Sequence, residues 1–312
     1  MTTDGTATMA AASRSRRWRL WQQLQRGRTL PILFVVGVII AVWYAAAVWL
    51  NAPRLVDGYQ RRDEGWSFGR LVDDAWRMER PVLPAPHQIV AELDQTVLQT
   101  KVTSKRSLVY HGWITLSSTL LGFAMGTALG ILLAVGIVHV PTLDRSLLPW
   151  IIASQTIPIL AIAPMIIVVL GSIGLQGLLP KAIISMYLCF FPVTIGMVKG
   201  LRSPDTLQLD LMRTYSASPA QTFRLLRWPA SLPFLFASLK VAIAISLVGA
   251  IVGELPTGAT AGLGARLLTG SYYGQTIQIW SALVLAAFLA GMLVALVGVI
   301  ERLVGRSGGV RA

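Results

Sequence analysis

The sequence predicts an all-α polytopic membrane protein, and three observations carry that prediction. Of the 312 residues, 54% are hydrophobic and only 13% are charged, about half the charged share of an ordinary soluble domain. Three runs almost free of charge, Leu30–Leu50, Trp113–Val140 and Trp280–Ile300, each reach the roughly 20 residues that a helix needs to cross about 30 Å of hydrocarbon. Less regular runs at Leu147–Leu170, Ile183–Val198 and Leu232–Val252 bring the expected transmembrane helices to about six.

The net charge of +13 follows this topology and is not read as a nucleic-acid signal. Residues 1–29 carry Arg14, Arg16, Arg17, Arg19, Arg26 and Arg28 against the single acid Asp4, which predicts a basic cytoplasmic tail. The apolar run 30–50 is too long for a signal core and no A-x-A site follows it, so it is expected to stay as the first transmembrane helix. Six crossings return the C-terminal tail, 303–312, to the cytoplasm. Arg302, Arg306 and Arg311 agree with that sidedness.

Segment 51–112 then falls outside, as a periplasmic or interfacial segment with nine basic and eight acidic residues. Long loops translocate with little regard to charge. Within it, 51–82 carries Trp66, Phe68 and Trp76 among charges; it reads either as an interfacial stretch or as a docking surface for an external partner. After Leu83-Pro84-Ala85-Pro86, an apolar stripe over His87–Leu98 suits a helix lying along the bilayer surface. Residues 113–302 form the expected core of five further transmembrane helices.

Inside that core, Gly122, Gly126 and Gly130 are spaced for close helix approach in lipid. The third run is interrupted by Pro149, Pro158 and Pro164. A spanning proline is tolerated where neighbours or a wet cavity satisfy the freed carbonyls. Gln155, Thr156 and Pro158 are therefore candidates for the translocation path, with an ordinary buried kink as the other reading. Glu254, the sole acid between Asp210 and Glu301, is the fourth candidate for the path, since ionisable groups at membrane depth tend to face a cavity or a partner. The other reading is an interfacial carboxylate, hydrated or paired with Arg266. Lys240 is expected to snorkel to the headgroups. Stretch 255–275, with Gly258, Gly262, Gly264 and Gly270, reads as a re-entrant or gating loop.

The most informative stretch is the polar, basic island DLMRTYSASPAQTFRLLRWP at 210–229, within a loop at 200–229. A helix over 207–215, a break at Ser216–Pro219 and a second helix over 220–227 would make a compact lateral hairpin, with Ser218 as N-cap and Pro219 in the first turn. Arg and aromatic residues are enriched in interfaces, which makes Arg213, Tyr215, Phe223 and Arg224 the expected anchors. An amphipathic hairpin lying on anionic lipid accounts for the pattern equally well.

No catalytic residue is assigned. The dipeptide Gly-Lys never occurs, so no Walker loop is present. His87, His111 and His139 are scattered, Cys189 is the only cysteine, and no metal site is expected.

Several of these motifs together resemble the permeases of ABC importers of the nitrate/sulfonate/taurine class. The family's cytoplasmic loop reads E-A-A, three residues, G, nine residues, I-x-L-P. Asp210-Leu211-Met212 stands at E-A-A, Ser216 at the glycine, Leu226 at the isoleucine and Trp228-Pro229 at Leu-Pro. Leu83–Pro86 resembles its L-P-S-P, and His111, Thr115-Leu116 and Gly122-Phe123 its H-x-x-x-S-L-x-x-x-L-x-G-F. Gln155–Pro158 resembles its Q-S-I-P, and Gly253-Glu254 with Gly262–Gly264 its E and G-L-G. The likeness runs from Leu83 to about Arg302 and implies a type I importer permease fold. It implies that the island is a coupling helix, with Asp210, Arg213, Tyr215, Ser216, Ala217, Ser218, Phe223, Arg224 and Pro229 meeting an ATPase. The implied assembly has two ATPase copies that bind the ATP, a second permease copy and a periplasmic binding protein, around a small polar solute. This chain would itself bind no cofactor. A self-sufficient secondary transporter, the alternative, should show inverted repeats and several buried ionisable residues, and neither is evident.

Overall fold

The computed structural model describes residues 29–256 and 259–307. Residues 1–28 of the predicted N-terminal tail, 308–312 of the C-terminal one, and Gly258 lie outside the described residues. All regular structure among the described residues is helical, and the chain divides into two compact units between Val90 and Ala91.

In the first unit, α1 (Thr29–Arg61) extends well past the apolar run that predicted it. Its 33 residues span about 50 Å at 1.5 Å per residue, and Pro53 lies inside it. The extension is stabilised by α2 (Phe68–Arg77), which folds back on it. Asn51, fully buried, uses both ends of its amide: Oδ1 accepts from the Val82 and Leu83 amides at 2.7 and 3.3 Å, and Nδ2 donates to the Leu83 and Ala75 carbonyls at 3.0 and 3.3 Å. The Tyr59 hydroxyl donates to Asp74, and Arg70 pairs with Glu64 at 2.6 Å. Trp76 turns inward against Tyr44, whereas Trp66 and Phe68 stay exposed. The unit ends in α3 (Pro86–Leu93), which crosses the division between the units.

The second unit is a bundle of α4 (Leu108–His139), α5 (Pro141–Ser154), α6 (Ile159–Ser172), α7 (Leu178–Leu201), α8 (Thr206–Thr214), α9 (Pro219–Gly253), α10 (Leu263–Tyr272) and α11 (Thr276–Ser307). Helix α7 packs along both α4 and α9. The three α4 glycines explain how closely. A Cβ on Gly122 would lie 2.6 Å from the Ala182 carbonyl, one on Gly126 would fall on Cys189 Sγ, and one on Gly130 would lie 2.8 Å from Val193 Cβ. Small residues let the backbones meet, where dispersion and interhelical hydrogen bonds replace a hydrophobic driving force. One such chain links three helices: Ser185 bonds Ser246 Oγ at 2.6 Å, and Ser246 donates to the Thr119 carbonyl at 2.9 Å.

The third apolar run departs from a straight span. Helices α5 and α6 meet at 100° across Gln155–Pro158, so among the described residues five helices are long and apolar enough to cross a membrane, or six if this bent pair counts as one. Pro158 has no amide to offer the Ser154 carbonyl, and the Tyr187 hydroxyl from α7 donates to that carbonyl at 2.5 Å. Pro149 and Pro164 sit inside their helices. Lys240, expected to snorkel, pairs with Glu301 across α9 and α11 at 2.5 Å, with both side chains about one-third exposed.

Candidate functional site

The island departs from a separate hairpin in one respect. Its first helix, α8, opens on Asp205 with a reciprocal capping box to Gln208, and none of its residues is buried. Its end is a Schellman motif: the Ala217 amide reaches the Met212 carbonyl at 3.0 Å, and the Ser216 amide reaches the Arg213 carbonyl at 2.8 Å. Ser216 takes the left-handed conformation, with φ +53. That is where the resembled loop carries glycine, the residue with no Cβ penalty there. Ser218 then caps the next helix in a second capping box with Gln221, and Pro219 occupies the first turn.

That helix does not stop at Arg227. A π-helical turn over Phe223–Arg227 leads straight into Trp228 and the long span. The Trp228 amide bonds the Phe223 carbonyl, and this one-residue register shift comes just before Pro229, which has no amide. Pro229 is therefore inside α9, half-buried.

The expected docking residues separate accordingly. Asp210, Arg213, Tyr215, Ser216, Ser218 and Arg224 are exposed, and Ala217 is half-buried. Leu207, Leu211 and Tyr215, 76%, 56% and 77% exposed, are spaced i, i+4, i+8 and form one apolar face on α8 and its C-cap that the described residues leave largely uncovered. Arg213 pairs with Asp210 at 3.0 Å, a surface contact of small energetic weight. Phe223 turns inward: its ring meets His139 at 5.3 Å and Trp228 at 6.0 Å. It therefore supports the island from behind. Arg227 does the same, donating to the Leu201 carbonyl at 3.0 Å.

At the other end of α7 lies the second cluster. Glu254 is fully buried, and its carboxylate accepts from three sides. The Thr115 hydroxyl lies 3.0 and 2.9 Å from its two oxygens, the Gly264 amide 2.9 Å from Oε2, and Lys181 Nζ 3.6 Å from Oε1. Lys181, not Arg266, is thus its charged partner. The same Thr115 oxygen accepts from the Leu263 amide at 2.9 Å. His111 Nδ1 accepts from the Gly262 amide at 3.0 Å while Nε2 faces the Lys105 carbonyl at 2.9 Å, an arrangement met by the tautomer with its proton on Nε2. Gly262 has φ +126, and a Cβ there would fall on the Glu254 carboxylate; one on Gly264 would fall on the Ile251 carbonyl. Glutamate and glycines are therefore one packed unit that ties the start of α10 to α4.

A cavity of about 630 Å³ adjoins this unit. Its walls come from α4, α6, the start of α7 and the residues flanking Glu254, with Lys181 on its surface. Glu254 itself sits behind that wall. Gln155, Thr156 and Pro158 do not line the cavity: Thr156 and Pro158 are exposed at the α5–α6 bend and Gln155 is half-buried there. Sequence reasoning missed Lys181, Thr115 as a carboxylate ligand, and Tyr187. Their partners lie dozens of residues away.

Residues 126–307 match the family of binding-protein-dependent transport system inner membrane components. The chain belongs to this family. It is a permease, the non-catalytic transmembrane subunit of an ABC importer, and a multi-pass component of the inner membrane. Among its relatives, a probable ABC transporter permease of Haemophilus influenzae is 31% identical over 67% of this chain and 83% of its own. A riboflavin transport permease of Chloroflexus aurantiacus is 31% identical over 72% and 80%. A formylaminopyrimidine transport permease of Halalkalibacterium halodurans is 31% identical over 61% and 73%. The matched region takes in the island, Glu254 with Lys181 and Gly262–Gly264, and most of the cavity wall; Thr115 and His111 precede it.

Proposed function

We propose that this permease works as a pair of copies, each seated on one copy of a separate ATPase through residues 205–218, and moves a small polar solute brought by a binding protein. In this reading both tails and the island face the cytoplasm, and ATP binds only to the partner ATPase. The solute path runs along the α5–α7 side of the bundle. The observation that carries the reading is the island. It is a doubly capped element that presents Leu207, Leu211 and Tyr215 to solvent, and burying such a face against a partner groove is favourable by about 25 cal/mol per Å². Family relatives named for riboflavin, formylaminopyrimidine, aliphatic sulfonates and nitrate support a small polar solute.

Affinity-tagged permease, expressed with its ATPase, should retain that ATPase through purification and support binding-protein-stimulated ATP turnover. Replacing Ala217 or Arg213 by glutamate should lower turnover while leaving the permease folded. Purified permease that moves solute down an ion gradient without an ATPase would overturn the reading in favour of a secondary transporter.

A further inference from the structure

We infer that the cavity beside Lys181 takes an uncharged solute with an apolar body and hydrogen-bonding edges, such as a single heteroaromatic ring, and that the Lys181–Glu254 pair sets this preference. The inference rests on the importer reading and narrows its solute. The cavity lies at the start of α7, and the island follows the end of the same helix 24 residues on. A helix of that length spans about 36 Å, so the cavity occupies the end of the bundle remote from the ATPase face, where a delivered solute would arrive. Its volume of about 630 Å³ suits a small organic molecule with room to spare.

The chemistry of the walls decides the charge. Ile114 and Ile167 supply apolar surface, while Tyr110, Ser117 and Gln176 supply hydroxyl and amide groups. Among the described residues, Lys181 is the one ionisable cation in the lining. Its ammonium is committed to Glu254 Oε1 at 3.6 Å and to the Ala261 carbonyl at 3.1 Å, and its side chain is 13% exposed. The carboxylate cannot swing away, because Thr115 and Gly264 hold it from behind. An anion in the cavity would have to compete with a fixed, buried carboxylate for Lys181. A cation would meet the ammonium across a wall of low dielectric. An uncharged solute avoids both costs and uses the neutral donors and acceptors.

The assembled permease–ATPase complex in lipid nanodiscs provides the test, with cytosine and uracil as uncharged probes and methanesulfonate as the anionic one. Each is titrated while the unfolding midpoint is followed by tryptophan fluorescence. Wild type should be stabilised by at least one ring and unaffected by methanesulfonate at the same concentration. Glu254→Gln unmasks the ammonium and should raise methanesulfonate affinity on the order of tenfold. The double variant Glu254→Gln/Lys181→Met, which leaves no buried charge unpaired, should lose that gain. Should Glu254→Gln fail to assemble, the wild-type and double-variant arms still decide. Stabilisation of wild type by methanesulfonate, or by neither ring, overturns the inference. Failure of the ATPase to co-purify would instead strike the importer reading on which it rests.

Discussion

Replacing Gly126 by alanine pits two effects of known size against each other. In an isolated helix the change stabilises by about 1 kcal/mol, because alanine loses less backbone entropy. Here the added Cβ would fall on Cys189 Sγ and lie 3.0 Å from the Met186 carbonyl oxygen. Ordinary contacts between carbons lie at about 3.5–4.0 Å, so the sulfur makes most of the clash, and while it stays in place α4 and α7 must part. Overpacking of this kind costs about 1–3 kcal/mol, and the net should be a destabilisation of about 1–2 kcal/mol. Cys189→Ala removes the sulfur and should erase most of that penalty, leaving Gly126→Ala near neutral in the Cys189→Ala background. The coupling energy between the two sites is then roughly 1–2 kcal/mol, within the range for residues in contact. Tryptophan-monitored unfolding in detergent resolves this, since 1 kcal/mol moves the midpoint by about 2–4 °C for a unit of this size. Equal destabilisation by Gly126→Ala in both backgrounds would refute the close α4–α7 packing on which the core is built.

Two smaller tests address the helix breaks. Tyr187→Phe leaves the Ser154 carbonyl at the α5–α6 bend with only the long contact from the Ile157 amide at 3.4 Å, which should cost about 1 kcal/mol; an unchanged unfolding midpoint would mean that the Ile157 amide satisfies the carbonyl alone. Ser216→Gly relieves the left-handed strain at the end of α8 and should stabilise the protein by about 1 kcal/mol, with ATP turnover preserved. A loss of stability there would contradict the Schellman geometry.

Much of the fold was legible because apolar runs of spanning length leave a helix few alternatives in lipid. The turn at Ser216–Pro219 was equally legible, since Ser218 and Pro219 are local signals that need no tertiary context. The α5–α6 bend was not. Pro149, Pro158 and Pro164 look alike in sequence, and what distinguishes Pro158 is a hydroxyl supplied by Tyr187 on another helix. The second island helix was expected to stop at Arg227, yet the π-helical turn before Pro229 carries α9 through. Glu254 stood out in sequence as a lone acid, but its ligands Thr115 and Lys181 come from α4 and α7, and no local pattern connects them. The resemblance had placed His111, Glu254 and Gly262–Gly264 as separate weak motifs. In the structure they form one contact unit, which is the physical reason for their co-occurrence.

The central claim is that α8 and its cap form the surface that meets the ATPase. Site-directed crosslinking tests it most directly. In a Cys189→Ala background, Leu211→Cys places a single thiol on the exposed face of α8, and Ser271→Cys places one at the end of α10, where the chain is also exposed. Treated with a short bifunctional reagent in the assembled complex, Leu211→Cys should crosslink to the ATPase and Ser271→Cys should not. No crosslink from Leu211→Cys, or equal crosslinking from both positions, would contradict the account.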